Sequence, residues 1–340
     1  MTITKLKTFL LSSLILPFLS CNNGGNTNKE TASKGVSKYE LVKDWPKLPT
    51  DFLVSPVSGV GVDNQQNIFI FQRTGRKWTE PFPDSLISSN TIFLLDRVTG
   101  NILNSWGSNL FIMPHGITVD KDNNVWVADV GLHQIFKFSH EGNLLLKFGV
   151  AKTPGNDSTH FNLPTDIAIA NDGSFYVSDG YGNSRVVKFS KEGKYQFEWG
   201  KKGDKSGEFN TPHMIDLDSH GNVYVADREN NRIQKFDANG IYLKEWKNNA
   251  AKQLYAVAID KFNNNIFAVD LLKVNDSISK GSDIILFDST MTLLSRFGRS
   301  GSYTGAALDF HDIAVDDEEN IYACQTGGKK VYKFRKVSKQ

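Results

Sequence analysis

Pro212-His213-Met214-Ile215-Asp216-Leu217-Asp218, then the turn Ser219-His220-Gly221, then Asn222-Val223-Tyr224-Val225-Ala226-Asp227, is the stretch on which the fold turns. It continues through Asn231-Arg232-Ile233-Gln234-Lys235-Phe236, the turn Asp237-Ala238-Asn239-Gly240, and Tyr242-Leu243-Lys244-Glu245-Trp246. The apolar runs are short, β-branched or aromatic residues dominate them, and Gly, Asn and Asp punctuate them. That pattern predicts antiparallel strands joined by tight hairpins.

The unit recurs, with copies beginning near Val57, Pro114, Pro164, Pro212, Leu254 and Phe310. Its second strand reads Asn67-Ile68-Phe69-Ile70 in the first copy, Asn124-Val125-Trp126-Val127 in the second and Asn320-Ile321-Tyr322-Ala323 in the last. Outermost strands end in an aromatic residue: Trp106, Phe148, Trp199, Trp246 and Phe297. The sixth copy stops near Phe334, after its third strand, and Tyr39 to Trp45 matches the missing outer strand. Such self-similarity predicts an all-β chain, a six-bladed β-propeller over residues 39–340 that an N-terminal strand closes, which leaves few open sheet edges. Two copies carry insertions, Arg73–Ser89 and Leu271–Ser282. Long loops on a rigid ring either shape a binding face or cover an edge.

The chain has 340 residues and a net charge of +2 with no block of like charge, which gives no pull toward nucleic acid. Lys5 and Lys7 precede an apolar run, Phe9 to Leu19, too short to span a membrane in the mature protein. It ends in Ser20-Cys21, which resembles a bacterial lipoprotein processing site. The expectation is an export signal over residues 1–20, a lipid on Cys21 as membrane anchor, and a polar tether over 21–38. An ordinary secretory signal cut nearby is the other reading, and both predict an exported protein. Cys324, the only other cysteine, is expected to be buried and inert.

His115, His213 and His311 occupy one position of the repeat, each 98 residues from the next. Alternate blades of a six-bladed ring lie about 120° apart, so the three imidazoles are expected to converge on the axis. Three neutral imidazoles without a fourth protein ligand describe a catalytic zinc-type site with an open position; polar filling of a wet channel is the plainer alternative. The remaining members of that column are Ser58, Thr165 and Tyr255. Asp312, after His311, either sits with backbone carbonyls in a calcium-type setting or orients a histidine. The turns such as Asp120-Lys121-Asp122-Asn123-Asn124 lack the glutamate of a calcium loop and read as hairpin chemistry. A second column, after the second strand, holds Arg73, Val130, Gly180, Arg228, Leu271 and Thr326, with Tyr181 one step on. If it faces the same side as the histidines, two arginines would recognise an anion and a tyrosine with a lowered pKa would serve as base; otherwise they are surface and packing residues.

At these residues the sequence resembles the peptidyl-α-hydroxyglycine α-amidating lyases, which are built from NHL-type repeats. The matching stretches include Val57-Ser58-Gly59-Val60, Asn109 to Ile117, Pro164-Thr165-Asp166-Ile167, Val177 to Arg185, Val225 to Gln234 and His311-Asp312-Ile313. The resemblance implies zinc on His115, His213 and His311. It implies a structural calcium on Asp312 and the carbonyls of Val60 and Ile117, Tyr181 as catalytic base, and Arg73 and Arg228 as residues that hold substrate or tune that tyrosine. It implies a lyase that splits the C–N bond of a peptidyl or N-acyl α-hydroxyglycine into an amide and glyoxylate, acting as a monomer. Paired cysteines of the animal enzymes are replaced at Asn162, Gly182, Tyr224 and Lys235, and Phe310 stands where the first two histidines have a proline, which is expected to loosen the backbone there slightly. No monooxygenase domain is expected in the sequence, which leaves the natural substrate and the source of any hydroxyglycine open. A non-enzymatic binding propeller, or a metal-dependent propeller hydrolase, are the competing readings; a lactonase-type site would draw on acidic and Asn ligands.

Overall fold

In a computed structural model, which describes residues 38–49, 52, 55–275, 278–299, 308–328 and 330–337, each copy of the unit becomes a four-stranded antiparallel sheet. The expected export signal, Cys21 and the expected tether up to residue 37 lie outside the described residues. The six innermost strands are Val57–Val62, Pro114–Val119, Asp166–Ile169, Pro212–Leu217, Gln253–Ile259 and Asp312–Val315. They touch one another in chain order and the first touches the last, so the blades form a closed ring. No helix occurs among the described residues.

The clasp is where the sequence places it. Lys38–Leu41 pairs antiparallel with Lys330–Val337, Tyr39 opposite Lys336, as the outer strand of the last blade. It is shorter than the Tyr39–Trp45 match. Trp45 lies beyond it, buried against Tyr322 with ring centroids 5.2 Å apart, and helps hold the joint.

Burial grades outward along each blade. Val125–Asp129, a second strand, is buried on both faces, whereas the outer strand Leu144–Phe148 of the same blade is mostly exposed. The apolar cores therefore sit between neighbouring blades. One joins Phe69, Phe71 and Ile92 of the first blade to Phe111, Val127 and Phe138 of the second. Each such buried side chain contributes about 2 kcal/mol. The first hairpin of each blade is held by its aspartate: Asp120 Oδ1 accepts the N–H groups of Asp122 and Asn124, and Asn123 has φ 64°. This is the hairpin reading of those turns.

Candidate metal centre

The axial column is built from irregularities in the innermost strands. In the fourth blade Pro212 pairs with Asp227 and Met214 with Ala226, so His213 is an extra residue in a bulge. The same shift falls at Ser58, at His115-Gly116 and at Tyr255. In the third and sixth blades, Thr165 and His311 sit just ahead of the strand. A bulge re-aims a side chain that strict alternation would send to a sheet face, and here it does so for His115 and His213, while His311 reaches the axis from just ahead of its strand.

His115, His213 and His311 meet there. Their ring centroids are 4.8 to 4.9 Å apart in all three pairs, and their ligand atoms lie within 4.8 Å of one another. All three are buried. Each is steered by the next blade: His115 Nδ1 is 2.7 Å from Thr165 O, His213 Nδ1 2.7 Å from Tyr255 O, and His311 Nδ1 2.8 Å from Ser58 O. A carbonyl can only accept, so Nδ1 carries the hydrogen and the Nε2 lone pair is left for the axis. Burial holds each imidazole's pKa well below 6.5; the next largest causes are His311 for His115, Arg228 for His213 and Arg73 for His311. Neutral imidazoles that keep an unprotonated Nε2 toward the axis are what a metal ion needs. The other four histidines are elsewhere: His133 accepts from Leu163 N, His140 bonds Asp63, His160 bonds Asp157, and His220 is exposed.

The second column does face this side. Tyr181 Oη lies 3.0 Å from Nε2 of both His115 and His213, and Arg228 Nη1 donates to it at 3.2 Å. Burial opposes the Arg228 charge, but Tyr181, Tyr255 and Glu229 outweigh it and hold its pKa above the ordinary value. Arg73 is buried; its Nε donates to Pro114 O at 3.0 Å and its Nη2 has no hydrogen-bond partner among the described residues. Burial pulls its pKa below the ordinary value, yet a guanidinium keeps its charge. An unpartnered buried N–H on a cation is costly unless an anion arrives.

Asp312 Oδ2 accepts from Val60 N at 3.0 Å. Burial pushes Asp312 up to about 7 and, together with Asp312 itself, pushes Asp166 well above the carboxylate range. Gly59 and Gly116 fill the same repeat position in the two intervening blades, and a Cβ at Gly116 would lie 2.3 Å from Asp166 Oδ1. Two buried carboxylates, the charge of Asp312 raising the pKa of Asp166, are chemically suited to a hard cation.

The chain is 35% identical over 318 residues to peptidyl-glycine alpha-amidating monooxygenase B of Xenopus laevis, a match covering 86% of this chain and 35% of that protein. It is 39% identical over 227 residues to peptidyl-alpha-hydroxyglycine alpha-amidating lyase 2 of Drosophila melanogaster, covering 62% of this chain and 54% of that protein. Residues 111–138, 161–189 and 209–236 match the NHL repeat. The chain is an NHL-repeat propeller homologous to the peptidyl-α-hydroxyglycine α-amidating lyases. It spans about a third to about half of the length of these two relatives. A streptogramin B lyase structure shares the propeller fold at TM-score 0.54 and 15% identity, covering 89% of this chain and 98% of that one.

In this amidating-lyase homologue the positions of the expected cysteine pairs are in contact without a covalent link. Gly182 N donates to Asn162 O at 3.0 Å, and Lys235, opposite Tyr224, holds its ammonium 4.8 Å from that ring's centroid. Phe310 does not leave His311 slack: its N–H donates to Ser282 Oγ at 3.0 Å, its ring is buried, and His311 N donates to Cys324 O at 2.8 Å. Cys324 is fully buried and burial pushes its thiol well up, as an inert side chain requires.

Two contributions escaped the sequence reading, and a third, from Tyr255, was visible there only as a member of the axial column. Trp78, from the Arg73–Ser89 insertion, lies over the site, with its ring centroid 4.9 Å from that of Tyr181 and 5.4 Å from the Arg73 guanidinium. Tyr255 flanks His213. The aspartates that end the second strands bind the segments leading into the site: Asp129 Oδ2 accepts from Ile112 and Met113, just before His115. The recurrence of aspartate at 129, 179, 227 and 270 was the available signal.

Proposed function

We propose that this protein is a metal-dependent lyase that cleaves peptidyl-α-hydroxyglycine, or a related N-acyl α-hydroxyglycine, to an amide and glyoxylate. The observation that carries the reading is the Tyr181 hydroxyl, 3.0 Å from two imidazole Nε2 atoms and bonded to Arg228. A binding scaffold has no need of a phenol held among two metal-ligand candidates and two cations. The homologues named for this reaction support the assignment.

His115, His213 and His311 would hold zinc, which prefers nitrogen ligands and leaves a fourth position open here. When bound, zinc supplies a Lewis acid for the substrate hydroxyl oxygen. Arg228, helped by the unpartnered Nη2 of Arg73, binds the substrate carboxylate. Tyr181 takes the hydroxyl proton as the carbonyl forms and the C–N bond breaks. The departing electron pair goes to the amide nitrogen, to which Tyr181 returns the proton. Atoms balance without water. Asp312, with the carbonyls of Val60 and Ile117, would hold a structural calcium beside Asp166. An export signal over residues 1–20 and a lipid on Cys21 would anchor the protein to a membrane, where it would act as a monomer.

The test is glyoxylate release from α-hydroxyhippurate by the purified protein, before and after chelation and zinc readdition. Release that chelation stops and zinc restores is expected. No release from folded, zinc-loaded protein would sink the reading.

A further inference from the structure

Arg228 is gripped between two phenol rings. Its guanidinium carbon lies 5.1 Å from the Tyr181 ring centroid and 5.2 Å from that of Tyr255. Trp78 packs against Tyr181 in turn, its ring tilted by 52° with centroids 4.9 Å apart. The grip therefore joins the first, third, fourth and fifth blades. The in-plane bonds of Arg228 are also fixed: Nε donates to Glu229 Oε1 at 2.8 Å and Nη1 to Tyr181 at 3.2 Å. Glu229 is itself held by Gln253 Nε2 through both carboxylate oxygens. Nη2 has no hydrogen-bond partner among the described residues, and the Arg228 side chain is 15% exposed, so an incoming ligand can reach it.

Tyr255 belongs to the axial column, in the fifth blade, where the even-numbered blades carry histidine. Its carbonyl orients His213 and its ring lies 5.2 Å from the His213 ring and 5.8 Å from that of His311. A guanidinium between two aromatic faces loses rotamer freedom before the ligand arrives, and a fork held in one plane binds a carboxylate with less ordering cost.

We propose that Tyr255 is a positioning residue that, through its ring, holds the Arg228 guanidinium in the plane that receives the substrate carboxylate. This rests on the lyase reading for the identity of the carboxylate. The consequence is a division of labour between two tyrosines at one cation: Tyr181 touches it with its hydroxyl as well as its ring, and Tyr255 with its ring alone.

The experiment measures binding without turnover. Hippurate, which has the acyl glycine carboxylate but no hydroxyl to react, is titrated by calorimetry into wild type, Tyr255→Leu and Tyr255→Phe, each checked for metal content and melting temperature. Hippuramide, which lacks the charge, is the control ligand. Loss of a partly shielded cation–π contact weakens binding by about tenfold. Tyr255→Leu is expected to weaken hippurate by that factor and hippuramide by less than about twofold, and Tyr255→Phe, which keeps the ring, to restore hippurate to within about threefold of wild type. Equal loss for both ligands, or equal loss in both variants, would overturn the assignment. If Tyr255→Leu does not fold, a hippurate affinity of Tyr255→Phe reduced tenfold still overturns it, and a wild-type level upholds it. Absence of glyoxylate release by the wild type would strike the lyase reading alone, because the hippurate titration does not depend on turnover.

Discussion

The even and odd blades use the same position of the same repeat in opposite ways. Blades two, four and six present side chains there, His115, His213 and His311. Blades one, three and five present backbone, the carbonyls of Ser58, Thr165 and Tyr255, each accepting a hydrogen bond from the histidine of the blade before it. Alternation thus produces three ligand candidates and the three acceptors that fix their tautomers. A six-fold ring becomes a three-fold set of ligand candidates because imidazoles face the axis in one half and carbonyls orient them in the other. Substitution in this column should therefore cost metal in even blades and leave it bound in odd ones.

His213→Ala breaks the even half, and metal content should fall to near zero with glyoxylate release down by about a thousandfold or more; elemental analysis that found full metal retention would refute the three-histidine site. Tyr181→Phe separates chemistry from metal binding. Removing the proton acceptor should cost about 10²- to 10⁴-fold in turnover at unchanged metal content, and unchanged turnover would take Tyr181 out of the mechanism.

Acid sharpens the comparison differently. A protonated imidazole has no free lone pair, and burial holds the three pKa values well below 6.5. Protons therefore compete only at more acid pH, and metal retention in dialysis should stay flat from about pH 8 to about pH 6.5, then fall below it. A midpoint above about 6.5 would contradict the buried, neutral set.

In the odd half, Thr165→Val removes a hydroxyl that bonds Ser178 O and Pro212 O at 2.9 Å but keeps the carbonyl that His115 uses. Unfolding by denaturant should show a loss of about 1 to 2 kcal/mol with metal retained. Ser58→Ala removes one longer bond, 3.2 Å to Phe71 O, and should cost less than about 1 kcal/mol. Loss of metal in either variant would end the distinction between the two halves.

Much of this was legible in the chain. The repeat and its missing last strand predict the ring and its closure, because hairpins with one dominant pattern have few ways to bury their faces. The 98-residue spacing predicts the histidine triad, and the second column predicts Tyr181 and Arg228 beside it. Trp78 was illegible because its place depends on how an insertion folds back across the ring. Tyr255 was visible as a member of the column, but its grip on Arg228 joins residues of different blades that no local pattern links. The aspartates ending the second strands were read as part of the strands, since only the folded chain shows which N–H groups they satisfy.

The sequence alone determined the period of the fold, the number of blades, and which residue types recur at which step, because short-range alternation and turn chemistry are written locally. Only the tertiary structure decided where those side chains point. Strict alternation would send His213 to a sheet face; an extra residue in the strand, set by pairing with Asp227 and Ala226, turns it to the axis. The tautomers likewise follow from carbonyls that belong to the neighbouring blade and come within reach only when the ring is closed.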